Sequence, residues 1–125
     1  MPVTRLEMKE RVSLDRAPIE DMVRVLGVER AETLVGGAME EMAVWMARAE
    51  KLWRTGKIEE LGRLAARVAP VAERLGMPLL GRVAREVVEQ TQGTDQAALG
   101  ATTLRMVRVG EGSLVAIWDL QDTIG

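Results

Sequence analysis

The chain has 125 residues and a formal net charge of -2, so it fits a single domain, residues 1–125, with no general attraction to nucleic acid or to an anionic membrane. It contains neither histidine nor cysteine, which excludes a Ser-His-Asp triad, phosphohistidine, disulfides and thiolate chemistry and argues against zinc-type sites. Three tryptophans are its only aromatic residues and provide no stacking platform for bases. We therefore expect no cofactor, no metal and no nucleic-acid partner.

The N-terminal segment, residues 1–14, is charged throughout and lacks the apolar centre of a signal peptide. No apolar run in the chain approaches the roughly 18 residues that a membrane helix needs. These features predict a cytoplasmic protein that does not enter a membrane. Residues 1–14 have no clear period and are predicted to form either one short amphipathic turn or a flexible arm that lies over the bundle, with the first few residues disordered.

Two helices are predicted after this arm. Asp15–Leu26 is a short amphipathic segment with Pro18 in its first turn, where proline is favoured, and Gly27 behind it as a terminator. Val28–Arg54 is predicted to be the longest helix, because apolar residues recur in it at alternating intervals of three and four, as in a helical bundle. Its predicted inward-facing residues are Ala31, Leu34, Ala38, Met42, Trp45, Ala49 and Leu52.

Two features of the Val28–Arg54 segment allow alternative interpretations. Gly36 and Gly37 lie inside it, at a cost of about 1 kcal/mol each relative to alanine, and indicate a close neighbour or a local bend. The segment is also rich in methionine and tryptophan, which suits either a ligand pocket or ordinary core filling. We favour core filling, because methionine adapts to irregular gaps. The residues concerned are Met39, Met42, Trp45, Met46 and Trp53.

The next predicted helix, Lys57–Gly76, is strongly amphipathic. Its apolar stripe consists of Ile58, Leu61, Leu64, Val68, Val71 and Leu75. At about 100° per residue, three arginines fall on the side away from that stripe, and three small residues fall beside the arginines. The pattern predicts an exposed face that is partly basic and partly bare of side chains, which lets another surface approach. The arginines are Arg63, Arg67 and Arg74, and the small residues are Gly62, Ala66 and Ala69.

Pro70 lies deep inside this helix, where it removes the hydrogen bond to the Ala66 carbonyl and costs roughly 3 kcal/mol in a regular helix. We expect a kink that bends this carbonyl toward water or a polar partner. The kink is either only a way of wrapping the helix around its core, which we favour, or part of a recognition feature.

The remaining chain predicts two further bundle helices and a short tail. Pro78–Gln92 and Asp95–Val109 have helical apolar spacing, and Gly110–Gly112 is predicted to break the second helix. The tail that begins at Ser113 is apolar, and we predict a short docked helix rather than a strand. The predicted inward-facing residues are Leu80, Val83, Val87 and Val88 or Thr91 in the first helix, and Ala97, Ala101, Leu104 and Val107 or Arg108 in the second.

Together these elements predict an all-α fold, an up-down-up-down four-helix bundle over residues 28–109 with a short N-terminal helix and a short C-terminal tail. Within it, Ala65–Gly76 resembles the phosphoacceptor helix of the histidine phosphotransfer (HPt) domain of bacterial phosphorelays, a four-helix bundle with an exposed histidine. The agreement lies at Ala65, Val68, Ala72, Leu75 and Gly76, and Thr55-Gly56-Lys57 resembles the preceding turn.

The chain departs from the HPt pattern at the residues that carry the chemistry. Ala66 stands at the phosphoacceptor histidine, Ala69 at the usual lysine and Pro70 at the usual glycine. The resemblance therefore implies a degenerate, non-catalytic member that keeps a docking surface for a receiver domain of a response regulator, or for a histidine kinase, in two-component signalling. The expected partner-binding residues are Gly62, Arg63, Ala66, Arg67, Ala69, Pro70, Arg74 and Arg82.

Other interpretations of the same residues stay open. A basic face also suits a solvated surface with local pairs, such as Glu59 and Arg63 four residues apart. A different class of function is structural, a homodimer or larger oligomer that buries the tail Leu114–Leu120 and the strip of small residues. No serine, threonine or carboxylate lies in a recognisable catalytic motif, so we do not expect an enzyme.

Overall fold

The computed structural model describes the backbone of residues 12–124 and the side chains of residues 12–120. Over this range the chain forms five α-helices and no strand, joined by short turns. The helices are Ala17–Leu26 (α1), Val28–Arg54 (α2), Ile58–Arg74 (α3), Pro78–Thr91 (α4) and Gln96–Ile124 (α5). The all-α prediction is confirmed, α2 has the predicted bounds, and α1, α3 and α4 differ from theirs only at the ends.

The four longer helices pack into a bundle. The most extensive contact joins α3 and α4; α3 also contacts α2, and α4 also contacts α5. Because α2 and α5 contact each other as well, the four helices close a ring of contacts, and α1 packs on α2. The ring encloses a hydrophobic core. The largest fully buried side chains include Met42, Leu61, Met77, Leu80, Leu99, Met106 and Ile117.

The structure of α2 bears on two alternatives that its sequence left open. Met42 and Met46 are buried in the core, which confirms the core-filling interpretation for them. A Cβ atom added to Gly36 or Gly37 would meet no described atom within 4 Å, so the described residues provide no close neighbour for this pair. The two glycines lie within a continuous helix.

The predicted break at Gly110–Gly112 is wrong, because α5 continues through these residues to Ile124. Gly110 is buried, and a Cβ atom at this position would lie 2.4 Å from Sδ of Met46 in α2. Gly110 therefore allows α2 and α5 to approach each other closely and does not end a helix. The apolar tail is helical, as preferred, but it is the continuation of α5 and not a separate element.

The predicted inward face of the last bundle helix is also wrong in part. Ala97, Ala101 and Leu104 are exposed, whereas the core is met by a different side of α5 that includes Leu99 and Met106. Both sides have helical spacing, so periodicity alone does not choose between them. The choice follows from packing, since the buried side carries the small residues that let α2 come close.

The end of the N-terminal arm lies over the bundle. Val12 and Leu14 pack against the hydrophobic core, and a Cβ atom on Gly112 would be in ordinary contact with Val12. The backbone N–H of Asp15 donates to the carbonyl oxygen of Gly76, with an N–O distance of 2.8 Å. The prediction of disorder concerns residues that lie outside the described range, which begins at residue 12.

Helices α2 and α5 are long, with 27 and 29 residues. Even so, no helix within residues 12–124 combines the length and the apolar character that crossing a membrane requires.

Candidate functional site

A groove of about 690 Å³ runs between α2 and α3. We call it the α2–α3 groove. It combines apolar and basic side chains from both helices. Its lining consists of Val44, Trp45 and Arg48 from α2, and Glu60, Arg63, Leu64, Ala66 and Arg67 from α3.

The two walls are joined near the short α2–α3 turn. The guanidinium of Arg48 lies 3.8 Å from a carboxylate oxygen of Glu60 across the groove, and the two side chains are 60% and 41% exposed, respectively. An exposed pair at this distance contributes about 0–1 kcal/mol, so it orients the walls more than it holds them together. Leu64 is buried and belongs to the core beneath, while Trp45 is half-buried.

The groove is basic although the chain as a whole is acidic. Three guanidinium groups and one carboxylate line it, so its formal charge is three minus one, or +2, against -2 for the chain. Arg63 and Arg67 are exposed one turn apart on α3, and neither forms an ion pair with any described residue. The local pairing expected between Glu59 and Arg63 is accordingly not seen.

An exposed apolar side chain lies beside these arginines. Val44 is 64% exposed, although most valines of the bundle face the core. Together with the half-buried Trp45 it gives one wall of the groove an apolar surface. Exposed apolar and arginine side chains that share one concave surface are typical of protein interfaces.

The structure brings three of the predicted site residues together in the groove, namely Arg63, Ala66 and Arg67. Ala66 is exposed, as expected from the position that it occupies on α3. Arg74 and Arg82 are exposed but do not line the groove, and the same is true of Pro70. These three residues stay predicted contacts outside the groove itself.

The assignment of Ala69 to an exposed strip is wrong, because Ala69 is only 2% exposed and lies in the core. Gly62 is half-buried, and a Cβ atom there would lie 2.8 Å from Oγ1 of Thr91 in α4. A Cβ atom on Gly81 of α4 would lie 3.6 Å from the carbonyl oxygen of Ala69. Gly62 and Ala69 therefore serve the close packing of α3 on α4, whereas Ala66 is the small residue of this flank that is exposed.

Pro70 is exposed within a helix that continues to Arg74. Because proline has no N–H, the Ala66 carbonyl lacks its usual donor four residues later, at a position that borders the groove. The kink and its role stay predictions. On α4, Arg85 donates to the carboxylate of Glu73 in α3.

Sequence reasoning missed most of the α2 wall as a site. Val44 carries a usable signal, because it is a large apolar residue outside the inward-facing series of α2. Arg48 and Glu60 carry a second signal. They have opposite charges and lie near the end of α2 and the start of α3, so they face each other when the two helices pack together. The second signal is visible only when the two helices are considered together.

Two other polar side chains of the described structure lie in its interior. Thr103 and Ser113 are buried along α5, where their hydroxyl groups face the protein interior. Among the described residues, no three histidine, cysteine, aspartate or glutamate side chains are grouped so that they could hold a metal ion.

Comparison of the chain with models of protein families, with curated proteins and with solved structures gave no match. The chain itself shows a helical bundle with a basic and partly apolar groove between two of its helices.

Proposed function

We propose that the protein is a non-catalytic binding module that docks an acidic protein surface in the α2–α3 groove. The finer form of the proposal is an HPt-like module, with α2–α5 as an up-down-up-down four-helix bundle, that docks a receiver domain or a histidine kinase without carrying phosphate. The observation that carries it is that Arg63 and Arg67 form no ion pair with a described residue and lie beside exposed apolar surface.

This arrangement has a cost in the free chain. Two like charges four residues apart on a helix destabilise it by about 0.2–0.5 kcal/mol, and Arg63 and Arg67 have this spacing. An acidic partner would turn that repulsion into attraction. Arginine and tryptophan are also the residues that most often dominate binding energy at interfaces, and the groove contains both.

The receiver-domain form of the proposal is supported by the place of Ala66. Ala66 stands at the position that corresponds to the phosphoacceptor histidine of HPt domains. It is exposed and lines the same groove as Arg63 and Arg67. The docking faces of receiver domains surround an acidic active site, which complements a groove of charge +2. A methyl group accepts no phosphoryl group, so the module would act by occupying its partner.

The test is a titration of a panel of receiver domains and histidine kinases against wild type, Arg67→Glu and Arg30→Glu. Arg30 is exposed on α2 outside the groove, so its reversal changes the net charge equally and serves as the control. We expect Arg67→Glu to weaken binding about tenfold or more, and Arg30→Glu to leave it nearly unchanged. Equal binding by all three proteins, or no binding to any member of the panel, would overturn the proposal.

The alternative of a structural oligomer depended on two surfaces, the strip of small residues on α3 and the apolar tail, and only the tail is still available for it. The strip of small residues on α3 packs largely against α4, as Gly62 and Ala69 show, so it is not free for another chain. In the tail, which forms the end of α5, Val115 is 61% exposed and Trp118 is 66% exposed. That end of α5 is part of a longer surface.

A further inference from the structure

One side of α5 presents a continuous row of exposed residues spaced alternately by four and three. We call this row the α5 stripe. It consists of Ala97, Ala101, Leu104, Arg108, Glu111, Val115 and Trp118, all exposed. At about 1.5 Å per residue the stripe is about 32 Å long, and its members fall within about 100° of arc.

The spacing of the α5 stripe is that of a coiled-coil seam. A repeat of 3.5 residues keeps one face of a helix against a partner helix over several turns. Of the seven large apolar side chains that are exposed in the described part of the chain, three lie in this row. They are Leu104, Val115 and Trp118. Nothing in the described part of the bundle covers them.

The stripe is complementary to itself when it is reversed. A two-fold axis that passes between Arg108 and Glu111 pairs residues at equal distances from that point. Arg108 then faces Glu111 of the second copy, and Glu111 faces the second copy's Arg108. Farther out, Leu104 faces Val115, and each Trp118 faces the small Ala101 of the other copy. Charge meets opposite charge, and the largest side chain meets one of the smallest.

The parallel alternative lacks this complementarity. With the two helices in the same direction and in register, Arg108 would face a second Arg108 and Glu111 a second Glu111. Like charges in direct contact disfavour an arrangement, whereas opposite charges select one. Neither residue forms an ion pair with a described residue of its own chain, so both are available for this contact.

We propose that the α5 stripe binds a second copy of this chain, as an antiparallel helix pair with two-fold symmetry. The surface is one helix wide, which places it toward the small end of specific interfaces, below about 1,200 Å² in total. We therefore expect a reversible dimer whose population depends on concentration. The α2–α3 groove lies on other helices, so this inference does not depend on the proposed function.

Charge reversal tests the arrangement by sedimentation over a range of concentrations. We expect Arg108→Glu alone, or Glu111→Arg alone, to weaken the dimer about tenfold or more, since each places like charges opposite each other. The double variant Arg108→Glu/Glu111→Arg restores the opposite pairing and is expected to dimerise like the wild type. An equimolar mixture of the two single variants is likewise expected to form a heterodimer.

Cysteine crosslinking tests the direction, because the natural chain has no cysteine. Leu104→Cys and Val115→Cys change exposed positions that face each other only in the antiparallel pair. Under mild oxidation we expect a mixture of the two single-cysteine variants to give mainly the disulfide-linked heterodimer, which joins one variant to the other, rather than either homodimer.

Three results would contradict the antiparallel dimer. A wild-type chain that sediments as a monomer up to about 1 mM would overturn the proposal. So would dimerisation that is insensitive to both charge reversals, or crosslinking that favours the two homodimers. Val44→Glu in the groove is the control, and it is expected to leave dimerisation unchanged. Trp118→Glu is expected to abolish dimerisation without affecting a partner bound in the groove, so failure of one proposal is distinguishable from failure of the other.

Discussion

Asp15 and Gly76 are in direct backbone contact where the N-terminal arm meets the α3–α4 turn. The N–H of Asp15 donates to the carbonyl oxygen of Gly76 over an N–O distance of 2.8 Å. A Cβ atom added to Gly76 would lie 1.9 Å from the carbonyl oxygen of Asp15, which is closer than any real contact. The backbone of Gly76 also has a φ of 76°, in the left-handed region that favours glycine. The arm and the turn therefore fit together only because residue 76 has no side chain.

Gly76→Ala is expected to destabilise the protein by about 2–4 kcal/mol, since it adds backbone strain and a steric clash with the arm. Gly56→Ala is the matched control. Gly56 occupies the equivalent place after α2 with a φ of 72°, but a Cβ atom there would meet no atom of the described residues within 4 Å. It should cost only the strain, about 1–2 kcal/mol. Urea denaturation measures both, and equal losses would show that the arm does not press on Gly76.

Gly100 and Gly37 give a second matched pair, one closely packed and one open. A Cβ atom on Gly100 in α5 would lie 2.5 Å from Cζ2 of Trp53, a rigid ring, whereas one on Gly37 would meet nothing within 4 Å. We expect Gly37→Ala to stabilise the protein by about 1 kcal/mol through helix propensity alone. Gly100→Ala should destabilise it by about 1–3 kcal/mol despite the same gain in propensity.

The Trp53→Leu background provides the check on Gly100. If the indole ring is the obstacle, Gly100→Ala will cost clearly less in that background than in the wild type, because the two changes are coupled through one contact. Additive losses would contradict the close approach of α2 and α5 at this point. Thermal or urea unfolding of the four proteins of the cycle gives the coupling free energy.

These glycines also show how far the sequence predicts the fold. Apolar periodicity and turn residues predict the bounds of α2 and nearly those of α1, α3 and α4, because these features act within a few residues of chain. The sequence predicts the first half of α5 and a helical tail, but not the continuity of α5 between them, since Gly110 has the local character of a helix breaker. Its role is to admit Met46 from a helix more than sixty residues earlier, and no local pattern contains that contact.

The same limit applies to the candidate site. The exposure of Arg63, Ala66 and Arg67 follows from the helical wheel of α3 and is predicted from the sequence. Ala69 lies nearer the edge of the apolar stripe, and its burial depends on how closely α4 approaches. The α2 wall of the groove likewise exists only after packing. The exposed face of α3 is thus predictable from its own sequence, whereas a surface made by two helices is not.

Thr102 and Thr103 are neighbours on α5 with different hydrogen bonding. The hydroxyl of Thr102 donates to the carbonyl of Ala98 at 3.0 Å, while the Oγ1 atom of Thr103 is buried without a hydrogen-bond partner in the described structure. Thr103→Val removes an unsatisfied polar group and keeps the shape, so we expect a gain of about 1 kcal/mol in the free energy of unfolding. Thr102→Val loses its bond and should be neutral or cost about 0.5 kcal/mol. Urea denaturation measures both changes. If the two variants lose equal free energy of unfolding, the Thr103 hydroxyl has a hydrogen-bond partner.

Arg67→Glu is also expected to change the stability of the unbound protein. Arg63 and Arg67 lie four residues apart on an exposed face without any described ion pair, so replacing one by a carboxylate changes repulsion into attraction. We expect the free energy of unfolding to rise by about 0.5 kcal/mol at low ionic strength, and Arg67→Gln to give about half of that gain. In 1 M salt both gains should largely disappear, since the Debye length falls to about 3 Å. A loss of more than about 1 kcal/mol for Arg67→Glu would show that Arg67 supports the fold, whereas a gain would show that this arginine is kept at the expense of stability, as residues reserved for binding are.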